Sequence, residues 1–226
     1  MCTISVVRNG TGFRMVCNRD ERLSRPAAEP PAIRPAGSVV SAWPVDPLSG
    51  GTWIGVNEVG FAACILNRTP RHPAVLATAP RSRGTILPSL LAEMSMATAL
   101  RAAAAIPAAL FKPFTLVLLH RGLVAVLTNR QGRMTLRLSA LLEPRLFTSS
   151  SLGDHVVRRP RRSLFARMVA ASSDPLQAQA AFHDHQWVAH PQVSVRMRRP
   201  EAATVSQTVV DVAKHAVHVR YRALHS

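Results

Sequence analysis

The chain predicts an α+β fold in which two antiparallel sheets pack face to face with helices on their outer sides. Three observations carry this expectation. Short β-prone runs separated by tight turns open and close the sequence, and helical spacing is confined to stretches between them. Strand runs, then helical runs, then strands again favour antiparallel sheets over a parallel doubly wound arrangement. Many strands must also share few helices, a count that two stacked sheets satisfy. At 226 residues, 47% hydrophobic and 18% charged, the chain suits a packed core, and one domain spanning 1–226 is expected.

The elements follow in order. TISVV (3–7) and FRMVC (13–17) flank RNGTG, whose Asn9-Gly10 pair is a hairpin signal. Cys2 and Asn18 then share the hairpin's open end, and antiparallel pairing brings Cys2 close to the stretch Asn18, Arg19, Asp20, Glu21. Residues 26–50 are proline-rich and read as an irregular wrap, with SVVSAW (38–43) a candidate strand. TWIGVN (52–57) and FAACILN (61–67) read as strands around a turn in which Asn57 and Glu58 take part. Residues 84–106 show helical spacing and predict one or two helices ended by Pro107. FTLVLLH, LVAVLTN and MTLRLSA form a meander with turns at Arg121-Gly122 and Gln131-Gly132. Residues 162–184 read as helical, with Pro175 starting a second helix. VSVRMR (193–198), TVSQTVVDV (204–212) and AVHVRYR (216–222) return to strand.

The formal charge is +16, almost all from arginine, since Lys112 and Lys214 are the only lysines. Such an excess suits nucleic acid or an anionic membrane surface. A single tyrosine and no reader motif argue against nucleic acid. Cys2, Cys17 and Cys64 form no CxxC pair and are odd in number, so neither a disulfide framework nor a thiolate metal site is expected. His183, Asp184, His185 and His190 lack a third spaced ligand, and no metal or cofactor is expected. No apolar run is long enough to span a bilayer, and MCTISVVRNG lacks a secretory signal pattern. The expected location is the cytoplasm.

Cys2 is the sharpest chemical feature. If Met1 is removed, one residue carries both a thiol and a free α-amine, and that amine can take the proton of its own nucleophile near neutral pH. Arg19 is placed to stabilise a thiolate or a substrate carboxylate, and Asp20 to orient the α-ammonium. Strict alternation puts Arg19 and Asp20 on opposite faces, so both reach Cys2 only where the strand bends or ends. Trp53 reads more readily as a core aromatic than as a ligand contact. Arg158, Arg159, Arg161 and Arg162 read as a solvated helix start rather than an anion site.

The segments MCT, NRDERLSRP, GGTWIGVNEVG, ILNR and FTSSSLGD together resemble the NRDE family, also called the Transport and Golgi organisation 2 family. The resemblance covers nearly the whole chain and is most specific between Met1 and Asn67. That family is similar to the N-terminal-nucleophile hydrolases that include penicillin V acylase and bile salt hydrolase. The resemblance implies a four-layer αββα sandwich, Cys2 as nucleophile, Asp20 as the carboxylate holding its amine, and Asn67 as an oxyanion donor. Cys17 stands where the acylases carry an arginine. Ser149 and Ser150 stand near the place of a second asparagine. Asn18, Arg19, Glu21, Arg25 and Trp53 complete the implied pocket. The implied activity is cysteine-dependent hydrolysis or transfer of an amide or thioester acyl group. The alternative is a carrier for lipid, acyl-CoA or haem. In either case the partner is a small acyl-bearing or acidic and apolar ligand, with no nucleic acid.

Overall fold

Period-two burial along the first hairpin decides where the chemistry lies. The computed structural model describes residues 1–69, 81–130 and 132–224; Gln131, expected in a turn, lies outside them. Strands β1 (Cys2–Asn9) and β2 (Gly12–Arg22) pair with Cys2 opposite Arg19 and Asn9 opposite Gly12. Gly10 makes the turn at φ 58°, a left-handed conformation that glycine adopts without steric cost. Cys2, Ile4 and Val6 enter the main buried cluster, while Val7 packs in a second cluster with Phe165 and Phe182.

The first sheet has the order β10 (Arg145–Thr148), β1, β2, β11 (Ala202–Val212), β12 (Val217–Ala223). The second runs β3 (Glu29–Ala36), β4 (Val39–Val45), β5 (Ile54–Asn57), β6 (Ala62–Asn67), β7 (Phe114–His120), β8 (Leu123–Arg130), β9 (Arg133–Ala140) in sequence order. All these pairings are antiparallel. Helices α1 (Ile86–Leu90) and α2 (Met96–Ala104) pack on β6 and β7, and α3 (Asp154–Phe165) and α4 (Pro175–Asp184) pack on β10, β1 and β2. The result is the four-layer αββα sandwich. No helix among the described residues is long and apolar enough to cross a membrane.

Several elements differ from expectation. Residues 29–36 form a strand despite Pro30, Pro31 and Pro35, because β3 is an edge strand whose missing N–H groups leave no ladder unpaired on its outer side. The break in register between Glu29 and Ala32 falls at the Pro30-Pro31 pair. VSVRMR is not a strand. Its carbonyls serve side chains instead: Arg161 donates to Val193 and Ser194, and Asn18 donates to Val195. The alternation that suggested a strand records burial of Val195 and Met197. Helix α3 begins at Asp154, earlier than the predicted 162, and β10 was not foreseen.

Between the first sheet and α3/α4 lies a buried polar layer. Arg161, expected at a solvated helix start, is fully buried and donates to Thr3 and Thr148, both at 2.7 Å. It thereby ties the first residues of β1 to the end of β10. Asn18 donates to the backbone of His183 and Val195, so its Oδ1 faces His183 Nδ1 at 3.0 Å. Ser5 accepts from Gln179 and donates to His183 Nε2 at 2.7 Å. This network defines a neutral imidazole with its proton on Nδ1. Burial, with the Arg161 charge adding, pushes the His183 pKa down to about 3.

Candidate active site

Cys2 sits at the inner end of β1, and register supplies its neighbours. Ile4 lies opposite Cys17, so Cys17 is the diagonal neighbour of Cys2 on the same face. Cys64 of β6 joins the same buried cluster from the facing sheet, and all three thiols are free. A hydrogen bond from the Cys17 thiol holds the Cys2 thiol below the ordinary cysteine range against the opposing effect of burial, and the terminal ammonium and Arg19 act in the same direction. Burial pushes Cys17 and Cys64 well up. Of the three, only Cys2 has surroundings that favour a thiolate.

A cavity of about 430 Å³ opens at Cys2, with Arg19, Arg25, Asp46, Trp53 and Asn67 in its wall. Arg19 donates to Asp46 at 2.5 Å and Glu21 at 3.3 Å, and its guanidinium lies 4.4 Å from the Trp53 ring centroid. Arg25 grips both Asp46 oxygens, at 2.8 and 2.9 Å. Burial raises the Asp46 pKa, but the bonds from Arg25 and the charges of Arg19 and Arg25 outweigh it and hold the carboxyl below its usual range. Asp46 was missed by sequence reasoning. Its signal was the Asp-Pro turn Asp46-Pro47, where the side chain caps the backbone of Leu48 and Ser49.

Asp20 faces away from Arg19, as alternation requires. A register shift in β11 between Thr204 and Ser206 falls at the Asp20 and Arg19 pairings, which marks a bulge beside the site. The Asp20 carboxylate accepts from Thr204 Oγ1 at 2.7 Å. Burial raises its pKa, with the charges of Arg161 and the terminal ammonium pulling the other way. The Met1 ammonium donates to the Asp20 carbonyl at 2.6 Å, and the Asp20 N–H donates to the Met1 carbonyl at 2.7 Å. With Met1 in place, the backbone of Asp20 holds the terminus while its carboxylate supplies charge nearby.

The nitrogen of Cys2 donates to Ser149 Oγ at 3.3 Å, and the Ser149 N–H donates to the Cys2 carbonyl at 3.0 Å. Asn67 ends β6 in the cavity wall, and its side-chain amide bonds no described residue. Four expected pocket residues lie outside that wall: Asn18, Asp20, Ser149 and Ser150. Asn18 belongs to the polar layer under α4, because it alternates with Cys17 and Arg19. Ser150 turns to Asp154 through its N–H and accepts from Arg199 at 3.0 Å through its Oγ. Among the described residues no group of three or more His, Cys, Asp or Glu side chains is arranged to hold a metal ion.

Two glycines shape the cavity's wall. Thr52 N–H donates to the Gly84 carbonyl at 3.0 Å, and a Cβ on Gly51 would come within 2.5 Å of the Gly84 backbone carbon. Backbone on both sides leaves nothing flexible to give way. Gly51→Ala is therefore expected to destabilise the chain by about 1–3 kcal/mol, which urea denaturation of the purified variant would measure.

Two antiparallel sheets between helix layers, with a cysteine opening the first strand inside a cavity, define the class as an N-terminal-nucleophile-hydrolase-like fold. The fold is similar to that of the Caenorhabditis elegans ortholog of N-acylethanolamine-hydrolyzing acid amidase, at TM-score 0.63 and 12% identity, covering 92% of each chain. It is also similar to penicillin V acylase from Agrobacterium tumefaciens, at TM-score 0.56 and 15% identity, covering 99% of this chain and 86% of that one. The C2A mutant of conjugated bile acid hydrolase from Clostridium perfringens matches at TM-score 0.57 and 10% identity, covering 99% and 92%. No curated protein sequence matches. Residues 1–221 match the family described as Transport and Golgi organisation 2, and the chain belongs to that family.

Proposed function

We propose that the chain is a cysteine N-terminal-nucleophile hydrolase or acyltransferase acting on an amide or thioester of a small molecule. The observation that supports this best is the place of Cys2, which opens β1 in a cavity whose wall also holds Asn67, a residue whose side-chain amide bonds no described residue. The likeness of the fold to an acid amidase and an acylase favours the same reaction class.

Removal of Met1 would leave the Cys2 nitrogen as an α-amine beside Ser149 and in the field of the Asp20 carboxylate. An α-amine of pKa about 7.7–8.0 takes the thiol proton, and Sγ attacks the carbonyl carbon. The Asn67 amide donates to the oxyanion. Collapse expels the amine or thiol, which leaves with the proton from the Cys2 ammonium. Water, deprotonated by the same amine, then releases the acid and restores Sγ; another acceptor in place of water gives acyl transfer.

A panel of N-acyl amides and acyl thioesters, followed by mass spectrometry, tests this reading. Turnover of at least one compound is expected, with Asn67→Ala lowering kcat by about a hundredfold. No turnover and no acyl group on Cys2 across the panel would overturn it, and saturable binding without turnover would favour a carrier.

A further inference from the structure

Five basic side chains line the Cys2 cavity, and they fall into two groups. Arg19 and Arg25 are engaged by Asp46 and Glu21. Arg81, Arg83 and Lys112 make no ion pair among the described residues. Their proximity is built into the backbone. Arg81 bridges Phe111, the residue before Lys112, and its N–H donates to the Leu110 carbonyl at 3.2 Å. Arg83 donates to the Pro113 carbonyl at 3.0 Å, while its neighbour Gly84 is pinned to Thr52 at the cavity wall. Arg83 and Lys112 also line the adjoining cavity, which shares Met1 and Asn67 with the first.

Glu21 lines both cavities and Glu201 the adjoining one, yet none of the three cations is paired with a carboxylate among the described residues, and a bound anion would relieve their mutual repulsion. Arg83 is the most telling, because its guanidinium is largely withdrawn from solvent and burial with no compensating carboxylate holds its pKa down. An arginine fork suits the oxygens of a carboxylate or phosphate.

We infer that Arg81, Arg83 and Lys112 form a subsite for a phosphate or carboxylate carried by the acyl-containing substrate. The substrate class is then an anionic acyl compound rather than a neutral amide. Arg19, which the sequence placed to stabilise a thiolate or a substrate carboxylate, and Arg25 instead hold Asp46 beside Trp53. The inference rests on Cys2's cavity being the substrate site, but it concerns binding and can be tested without turnover.

The test is isothermal titration of the full chain with octyl phosphate, octanoate and octanol. Octyl phosphate or octanoate is expected to bind saturably at one site, more tightly than octanol and more weakly as salt rises. The triple variant Arg81→Gln, Arg83→Gln, Lys112→Gln is expected to bind the anion at least about tenfold more weakly, with octanol unaffected. The double variant Arg81→Gln, Lys112→Gln changes only exposed side chains and should show most of the loss even if the triple variant folds poorly. Cys2→Ala should bind the anion like the natural chain, which separates this inference from the catalytic reading. Equal affinity of the double variant and the natural chain for the anion overturns the inference. So does octanol binding as tightly as octyl phosphate, and so does displacement of octyl phosphate only by inorganic phosphate or only by phosphatidylglycerol vesicles.

Discussion

Cys2→Ala is expected to lose turnover by at least about a thousandfold, because the proposed acyl-enzyme forms on its sulfur. Cys64 is buried with its pKa pushed well up, and Cys17 is likewise held as a neutral thiol. Neither can replace Cys2. The role of Cys17 is separable from that of the nucleophile. It donates to the Cys2 sulfur, so Cys17→Ala should retain turnover but move the rising limb of the pH–rate profile to higher pH. A Cys17→Ala profile superimposable on that of the natural chain would show that the Cys2 thiolate does not depend on this bond.

The second large effect is on stability in acid. His183 is fully buried and neutral in the fold, with a pKa of about 3, whereas a histidine in the unfolded chain titrates near 6.5. Its folded value is depressed, so between these limits the unfolded chain binds the extra proton. The stability is complete above about pH 6.5 and is lost as pH falls towards 3, at about 1.4 kcal/mol per pH unit. Asp46, also depressed, adds a loss lower in the acid range, while Asp20, raised by burial, acts in the opposite direction. Urea midpoints measured from pH 7.5 to 4 should therefore fall steeply. His183→Gln should start lower at neutral pH by about 1–2 kcal/mol, since hydrogen bonds to Ser5 and Asn18 are disturbed, yet decline much less with acid. Parallel declines in the two proteins would assign the acid sensitivity elsewhere.

How much of this was legible depended on whether each residue's role was local. The hairpin turn at Asn9-Gly10, the closeness of Cys2 to the stretch Asn18, Arg19, Asp20, Glu21, and the meander were readable because turn chemistry and period-two burial are local signals. The four-layer order followed from the strand count and the family resemblance. β3 escaped because proline masks strand propensity except at an edge, and edge position is a property of the whole sheet. VSVRMR misled for the converse reason: its alternation was real, but its carbonyls are taken by the side chains of Arg161 and Asn18 from distant segments.

The site shows the same division. Cys2, Arg19, Trp53 and Asn67 come together in the cavity wall as their places on β1, β2, β5's approach and β6 suggest. Asn18 does not, and strict alternation along β2 already separated it from Arg19. Asp46, Arg83 and Lys112 were invisible as site residues, since Asp46 and Lys112 are charges in loops, Arg83 opens a single 3-10 turn, and only the tertiary fold delivers them to the cavity at Cys2. Arg161 looked like one arginine of a solvated run. Its burial depends on the facing hydroxyls of Thr3 and Thr148, which no local pattern reveals.

The most direct test of the catalytic reading is the intact mass of the purified chain before and after incubation with an acyl thioester, followed by fragment sequencing. The account predicts a chain lacking Met1 that gains a single acyl group, located on Cys2. A chain that keeps Met1 and gains no acyl group at Cys2, while turning the thioester over, would contradict it.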